Sequence, residues 1–393
     1  MIRVAHEKAL LGDVAEIRSG IGFPLTFQGK ETGDFPFAKV GDISNVARSG
    51  ISFISDAPNW ITKEELPQLK AKPFPTGTIV FAKIGEAISQ NFRVVATRPM
   101  LFDNNVMGVV PNSTYVDTQY LLFYLKTLDF YPLAAKTTVP SIRKTTIEAL
   151  SIPLPPLEEQ RRIATILDRA DAVRRKRQEA IRLTEELLRS LFLEMFGDPV
   201  TNLKGWQMVE LGEILSIVSG QVDPQDAPYI DMPHIGGENI QANTGRINGV
   251  QTPREIGLQS GKYLFESTDV LYSKIRPYLN KVVIPGFIGV CSADIYPLRV
   301  DKAKVCPQYL VYLLRSNTFL EYAEKHSART NIPKINRPAL LKFSAPYPPL
   351  NLQKKFSAIY DKVCSTKNQI DQATEDGNKL FNSLLQRAFR GEL

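Results

Sequence analysis

The sequence predicts an α+β fold: two pseudo-twofold-related α/β domains joined by two long antiparallel coiled-coil helices. Three observations carry that prediction. The chain is one pattern written twice: Thr137-Thr138-Val139-Pro140-Ser141-Ile142 returns as Thr330-Asn331-Ile332-Pro333-Lys334-Ile335, and Pro155-Pro156-Leu157 with Gln160 returns as Pro348-Pro349-Leu350 with Gln353. The offset is fixed there (330 − 137 and 353 − 160 both equal 193), and a repeat far longer than the roughly 20 to 50 residues of solenoids is a domain-sized unit. Each copy opens with short apolar runs punctuated by Pro and Gly, then closes on a long stretch whose apolar residues step by three and four.

The elements follow in order. Residues 1–150 form the first domain, with Leu11-Gly12-Asp13 near its start, apolar runs at 78–82 and 92–96 that read as buried strands, and one obvious helix over 119–128. Residues 151–198 are a spacer helix without internal Pro or Gly from about 158 to 196, and Ile163, Leu167, Ala170, Ile181, Leu188, Leu191 and Met195 form its seam. Residues 199–345 repeat the first domain, with Leu211-Gly212-Glu213, strands at 269–272 and 281–284 and a helix from near Gln308. Residues 346–393 supply the second helix, whose seam runs through Phe356, Tyr360, Val363, Ile370, Phe381, Leu384 and Ala388. Both seams are broken by a charge at equivalent places, Arg174 and Lys367. A parallel in-register pair would bring those charges together, so the helices are expected to run antiparallel. Gly377 predicts a local bend in the second helix.

Composition narrows the class of protein. At 393 residues and 43% hydrophobic content the chain can bury more than one core. No stretch of 18 apolar residues occurs, and Met1-Ile2-Arg3-Val4-Ala5-His6-Glu7 lacks the apolar run of a secretion signal, so the protein is expected to stay in the cytoplasm, away from membranes. Cys291, Cys306 and Cys364 form no CxxC pair and are expected to be reduced thiols. A net charge of +7 leans toward a polyanionic partner. His6, His234 and His326 are isolated from one another, with no carboxylate or Cys read at ligand spacing, so no metal site is expected, and no GxxxxGK[ST] loop signals nucleotide chemistry. Both Pro-Pro pairs are followed by Leu, unlike the polar-Pro-Pro-aromatic pocket that holds a flipped base. The chain is expected to be non-catalytic and to carry no cofactor of its own.

Certain segments carry a family resemblance. Leu154-Pro155-Pro156-Leu157-Glu158-Glu159-Gln160-Arg161-Arg162-Ile163, then Met195-Phe196-Gly197-Asp198-Pro199 leading into Lys204-Gly205-Trp206, and the closing Arg390-Gly391-Glu392-Leu393 resemble the specificity subunit of type I restriction-modification systems. The resemblance covers the entire chain. It implies that each front domain is a target recognition domain reading one half of a bipartite site in double-stranded DNA, and that the helices are spacer and docking platform. It also implies a bacterial or archaeal, DNA-associated protein with two methyltransferase (modification) subunits and endonuclease/translocase (restriction) subunits as partners. S-adenosylmethionine, ATP and Mg would then belong to those partners. The second copy departs from the pattern, because Asn351-Leu352-Gln353 has neither glutamate of the first, which would make the two docking faces unequal. A protein scaffold without nucleic acid, or a self-contained restriction or modification enzyme with an unfamiliar active site, are the alternatives.

Candidate DNA contacts lie on loops. Lys83 is matched by Lys274, with Arg276 two residues on, and a cation there either reaches phosphate or a guanine edge or simply caps a strand in solvent. The loop at 137–142 and its match at 330–335, with Lys144, Arg329, Asn331 and Lys334, offer hydroxyl, amide and cationic groups around a fixed Pro, and read first as a turn entering the helix. Lys39, Arg48, Asn91 and Arg93 in the first domain, and Asn239 and Arg246 in the second, are further candidates that ordinary polar loops would equally contain. For partner binding, Glu158, Glu159, Arg174 and Arg175 are the candidates. A solvated helix face is the bland reading of the run Arg174-Arg175-Lys176-Arg177.

Overall fold

A computed structural model describes residues 7–135, 137–327 and 332–393. The chain divides into two compact units, residues 1–178 with 372–393 and residues 179–371, so each unit takes a share of both long helices.

In the first unit a five-stranded sheet runs, in spatial order, Ala15–Ser19, Val106–Pro111, Ile79–Ala82, Val94–Ala96 and Phe53–Ile54. All neighbours are antiparallel except the last pair. Side chains alternate across it. Ile79, Phe81, Val95 and Val109 point into one core, with the helix Thr118–Thr127 and the long-helix residues Ile163, Leu167, Phe381 and Ala388. Val80, Val94, Ala96 and Val106 point into another, against Ile43 of the helix Val40–Arg48. Burial on both faces is why these strands read as unbroken apolar runs.

The second unit repeats the arrangement in a four-stranded antiparallel sheet of Leu215–Ile217, Ile295–Val300, Val270–Ser273 and Val282–Val283. Val270 and Tyr272 face a core shared with the helix Pro307–Leu314, while Leu271 and Val283 face the opposite one. Each unit also pairs its entry with its exit, Lys8–Leu10 with Ser151–Pro153 and Gln207–Glu210 with Ser344–Tyr347.

The long helices are Leu157–Phe196 and Leu350–Phe389, 40 residues each, hence about 60 Å of continuous helix apiece. Within each unit their segments run antiparallel, as the interrupted seams predict. In the first unit Arg162 Nη2 donates to Leu393 O at 2.9 Å, the Arg174 guanidinium lies 4.8 Å from the Phe381 ring, and Arg177 Nη1 donates to Ala373 O at 2.5 Å. In the second, Lys367 pairs with Glu185, while Phe192 and Phe196 meet Phe356 at 5.8 and 5.5 Å. The charges that break the seams are thus neutralised locally, Arg174 by Asp171 at 3.2 Å and Lys367 by Glu185. The second helix continues through Gly377. A Cβ there would lie 2.7 Å from Arg177 Nη1, so the glycine makes room for a guanidinium.

The Pro-Pro-Leu-x-x-Gln element fastens each long helix to its module. Gln160 is fully buried; its Oε1 accepts from Asp117 N at 2.8 Å and its Nε2 donates to Pro155 O and Tyr115 O at 2.8 and 3.0 Å. Gln353 repeats this with Cys306 N at 2.9 Å and Pro348 O at 2.8 Å. Next to each clamp a buried tyrosine ties the module helix to the exit strand, Tyr120 to Pro153 O at 2.9 Å and Tyr309 to Pro346 O at 2.7 Å.

Candidate nucleic-acid interface

The strand-end lysines and the proline loops, separate candidates in the sequence, are joined by backbone hydrogen bonds in both units. In the first, Ile142 N donates to Lys83 O at 2.8 Å, Gly85 N donates to Pro140 O at 2.8 Å, and Ile84 bridges Ser141. In the second, Ile335 N donates to Lys274 O at 3.0 Å, Arg276 N donates to Pro333 O at 2.7 Å, and Ile275 bridges Lys334. A third segment completes each cluster: Lys83 N donates to Asn105 O and Lys274 N to Asp294 O, at 2.8 and 3.0 Å. Asn105 and Asp294 sit in matching turns, closed by Val106 N to Asp103 O at 3.0 Å and Ile295 N to Ser292 O at 2.9 Å. One scaffold of three tied loops therefore occurs in each unit.

The side chains on that scaffold differ. Lys83 Nζ donates to Ser19 Oγ at 3.0 Å, and partial burial lowers its pKa against the opposing pull of Asp103. Lys274 Nζ donates to Ala293 O at 2.7 Å, lies 3.6 Å from Asp294 Oδ1, and sits 5.4 Å from the centre of the Tyr296 ring. Where the first unit has Gly85 at φ +81°, the second places the exposed Arg276 at φ +47°. A side chain in that left-handed conformation costs about 1 kcal/mol or more. Ser141 in the first unit stands where the second has the exposed Lys334.

Several other candidates prove to be internal struts. Arg93 is only 2% exposed; its guanidinium donates to Asn91 O at 2.6 Å and Leu128 O at 2.9 Å and stacks 3.9 Å from the Phe130 ring. Burial lowers its pKa to about 10, still above neutrality, so it stays charged inside the fold and out of reach of a ligand. Asn91 caps the same knot, donating to Asp129 Oδ1 at 2.6 Å and accepting from Phe130 N at 2.9 Å. Asn239 is buried and spends its amide on loop closure, accepting from Gly236 N and donating to Asn248 O and Gly249 O at 2.7, 2.9 and 2.8 Å. In the structure the polar atoms of these three satisfy backbone groups that would otherwise be orphaned, which gives each a structural role.

The remaining candidates lie nearer the surface. Lys39 starts the helix Val40–Arg48 and donates to Gln28 Oε1 at 2.8 Å; Arg48 ends it and donates to Gln90 Oε1 at 2.9 Å. Lys144 is exposed and pairs with Glu148 at 3.4 Å. Arg246 lies 3.4 Å from Asp371 of the long helix. Arg329 and Asn331 lie outside the described residues. Among the partner-binding candidates Glu158 is exposed, and Glu159 pairs with Arg162 at 2.8 Å. Arg174 and Arg175 share Asp171 at 3.2 and 3.4 Å, and Arg175 also lies 3.6 Å from Asp168. Sequence reading passed over Lys325 and weighed His326 only as a metal ligand; both border the second loop cluster, and their signal was a helix end preceding the repeated proline loop.

Among the described residues no group of three or more His, Cys, Asp or Glu side chains is placed to hold a metal ion. Burial pushes the Cys291, Cys306 and Cys364 thiols above their usual range, the opposite of what a reactive thiolate needs. No described helix is long and apolar enough to cross a membrane.

A family model described as the type I restriction modification DNA specificity domain matches the chain twice, over residues 5–184 and 203–376. The chain is 29% identical over 295 residues to the type I restriction enzyme EcoDI specificity subunit of Escherichia coli, a match spanning 65% of each protein. It is 26% identical over 412 residues to the MjaIX specificity subunit of Methanocaldococcus jannaschii, covering 97% of this chain and 92% of that one. The fold is similar to that of the type I restriction-modification S subunit from M. genitalium, with a TM-score of 0.60 at 16% identity over 98% of this chain and 96% of the other. With both copies of its repeat matched, the chain belongs to the type I restriction-modification DNA specificity family.

Proposed function

We propose that this protein is the non-catalytic, DNA-reading subunit of a type I restriction-modification complex. Each module reads one half of a bipartite site, the long helices set the unread gap, and helix surfaces dock two methyltransferase subunits and the endonuclease subunits. S-adenosylmethionine, ATP and Mg are used by those partners, and the complex works on chromosomal DNA in the cytoplasm.

One observation carries this reading. The same three-loop scaffold occurs once per unit but presents Lys83, Gly85 and Ser141 in one and Lys274, Arg276 and Lys334 in the other. A shared hydrogen-bonded scaffold with exchanged side chains suits two readers of different half-sites, since phosphate contacts position a module and the variable side chains choose bases. Mapping methylated adenines in host cells with and without the gene tests it. The expected result is a split motif, two unlike half-sites around unread bases, that disappears with the gene. A genome whose methylation does not change on deletion would refute the reading.

A further inference from the structure

Beside the second loop cluster lies a concavity of about 440 Å³ bordered by Lys274, Lys325, His326, Ser327, Lys334 and Asn336, with no carboxylate in its lining among the described residues. The cations come from three separate places: the end of a strand, the last turn of the helix Asn317–Lys325, and the proline loop. A lysine in the last turn is expected from the helix dipole alone. That explanation does not reach Lys334, which belongs to another segment yet borders the same space. Lys274 has Asp294 as a counter-charge at 3.6 Å. Among the described residues no carboxylate pairs with Lys325 or Lys334, and these two ammonium groups on one concavity repel each other unless an anion enters. The donors around them suit an oxyanion. Asn336 Oδ1 is already used, accepting from Ala339 N at 2.9 Å, which leaves its amide NH₂ as a donor. His326 borders the space without adding a donor: its ring stacks on Tyr322 at 4.0 Å and its Nδ1 donates to Tyr322 O at 2.8 Å, so the neutral ring offers Nε2 only as an acceptor.

The first unit is different at this place. A single 3-10 turn, Tyr131–Leu133, stands where the second unit has the helix Asn317–Lys325, and Ser141 replaces Lys334, so of the three lysines only Lys274 has a counterpart among the described residues of the first unit, Lys83.

We infer that this concavity seats a backbone phosphate of duplex DNA, giving the second module an electrostatic anchor with no match among the described residues of the first. The inference rests on the DNA-reading function proposed above. It is tested with the full chain in complex with its methyltransferase subunit, on a duplex bearing the mapped motif and on a scrambled duplex of equal length. The Lys325→Ala/Lys334→Ala variant is expected to lose affinity for both duplexes by a similar factor, and the slope of log K against log salt should fall by about 1 for each lysine removed. An unchanged slope in a variant whose circular dichroism melt matches wild type overturns the phosphate seat. So does a loss confined to the motif duplex, which would mark base contacts instead. ATP titrated into the DNA-free complex separates a free nucleotide from DNA: ATP binding that the double variant abolishes would reassign the concavity and also overturn the inference. Wild-type complex that binds neither duplex in a salt-dependent way would instead sink the underlying reading.

Discussion

At the scale of single residues, Gln160 satisfies three backbone groups at once in a fully buried position, and Gln353 does the same work in the second unit. A buried donor or acceptor stripped of its partner costs about 1–3 kcal/mol. Gln160→Ala is therefore expected to destabilise the first unit by about 3 kcal/mol, because at least two main-chain groups lose their partner together. The exposed Lys144→Ala should stay within roughly 0.5 kcal/mol. Urea titrations of the two variants check this, and equal midpoints would count against the clamp. This residue also shows how far sequence carries. The repeated Pro-Pro-Leu-x-x-Gln marked the start of both helices, yet nothing in residue type told that the glutamine points inward. Asn91, Arg93 and Asn239 show the same limit: the backbone groups that these polar side chains satisfy were not legible from residue type.

At the scale of elements, the parts with a strong period or a two-sided core were legible. The apolar runs at 78–82 and 92–96 became the strands Ile79–Ala82 and Val94–Ala96, and the three-four spacing became two helices of 40 residues. The helix Val40–Arg48 was not visible. It is amphipathic over only nine residues and begins at Lys39, whose backbone N–H donates to Asp42 Oδ2 at 2.7 Å, so its start is fixed by a reach-back carboxylate and not by a preferred N-cap residue. Gly377 illustrates the reverse, a feature seen in the sequence whose reason was tertiary. In an isolated helix Gly377→Ala would gain about 1 kcal/mol. Here the new methyl would meet Arg177 Nη1, which holds Ala373 O across the helix pair. The single substitution is expected to be neutral or destabilising, and the helix gain should reappear when it is combined with Arg177→Ala. A double-mutant cycle measured by thermal melting tests this, and additive effects would remove Arg177 as the reason for the glycine.

At the scale of the whole molecule, each long helix is an unbroken element that contributes residues to both units: 157–178 and 179–196 in one case, 350–371 and 372–389 in the other. A helix is stiff and lengthens by about 1.5 Å per residue, so on the proposed function it is the part of the chain able to measure a gap. The loops proposed to read bases lie within the units and do not depend on helix length. Inserting seven residues into both helices at the unit boundaries, after Gln178 and before Gln372, preserves the apolar register and adds about 10 Å of helix. The expected methylation motif keeps both half-sites and gains unread bases between them. Replacing residues 11–150 with the corresponding segment of a relative should do the converse, changing one half-site while the gap stays fixed. Sequencing methylated adenines in cells carrying each variant reads both outcomes from one experiment. An insertion that leaves the gap unaltered, or that changes the identity of a half-site, would show that spacing is set within the modules and not by the helices.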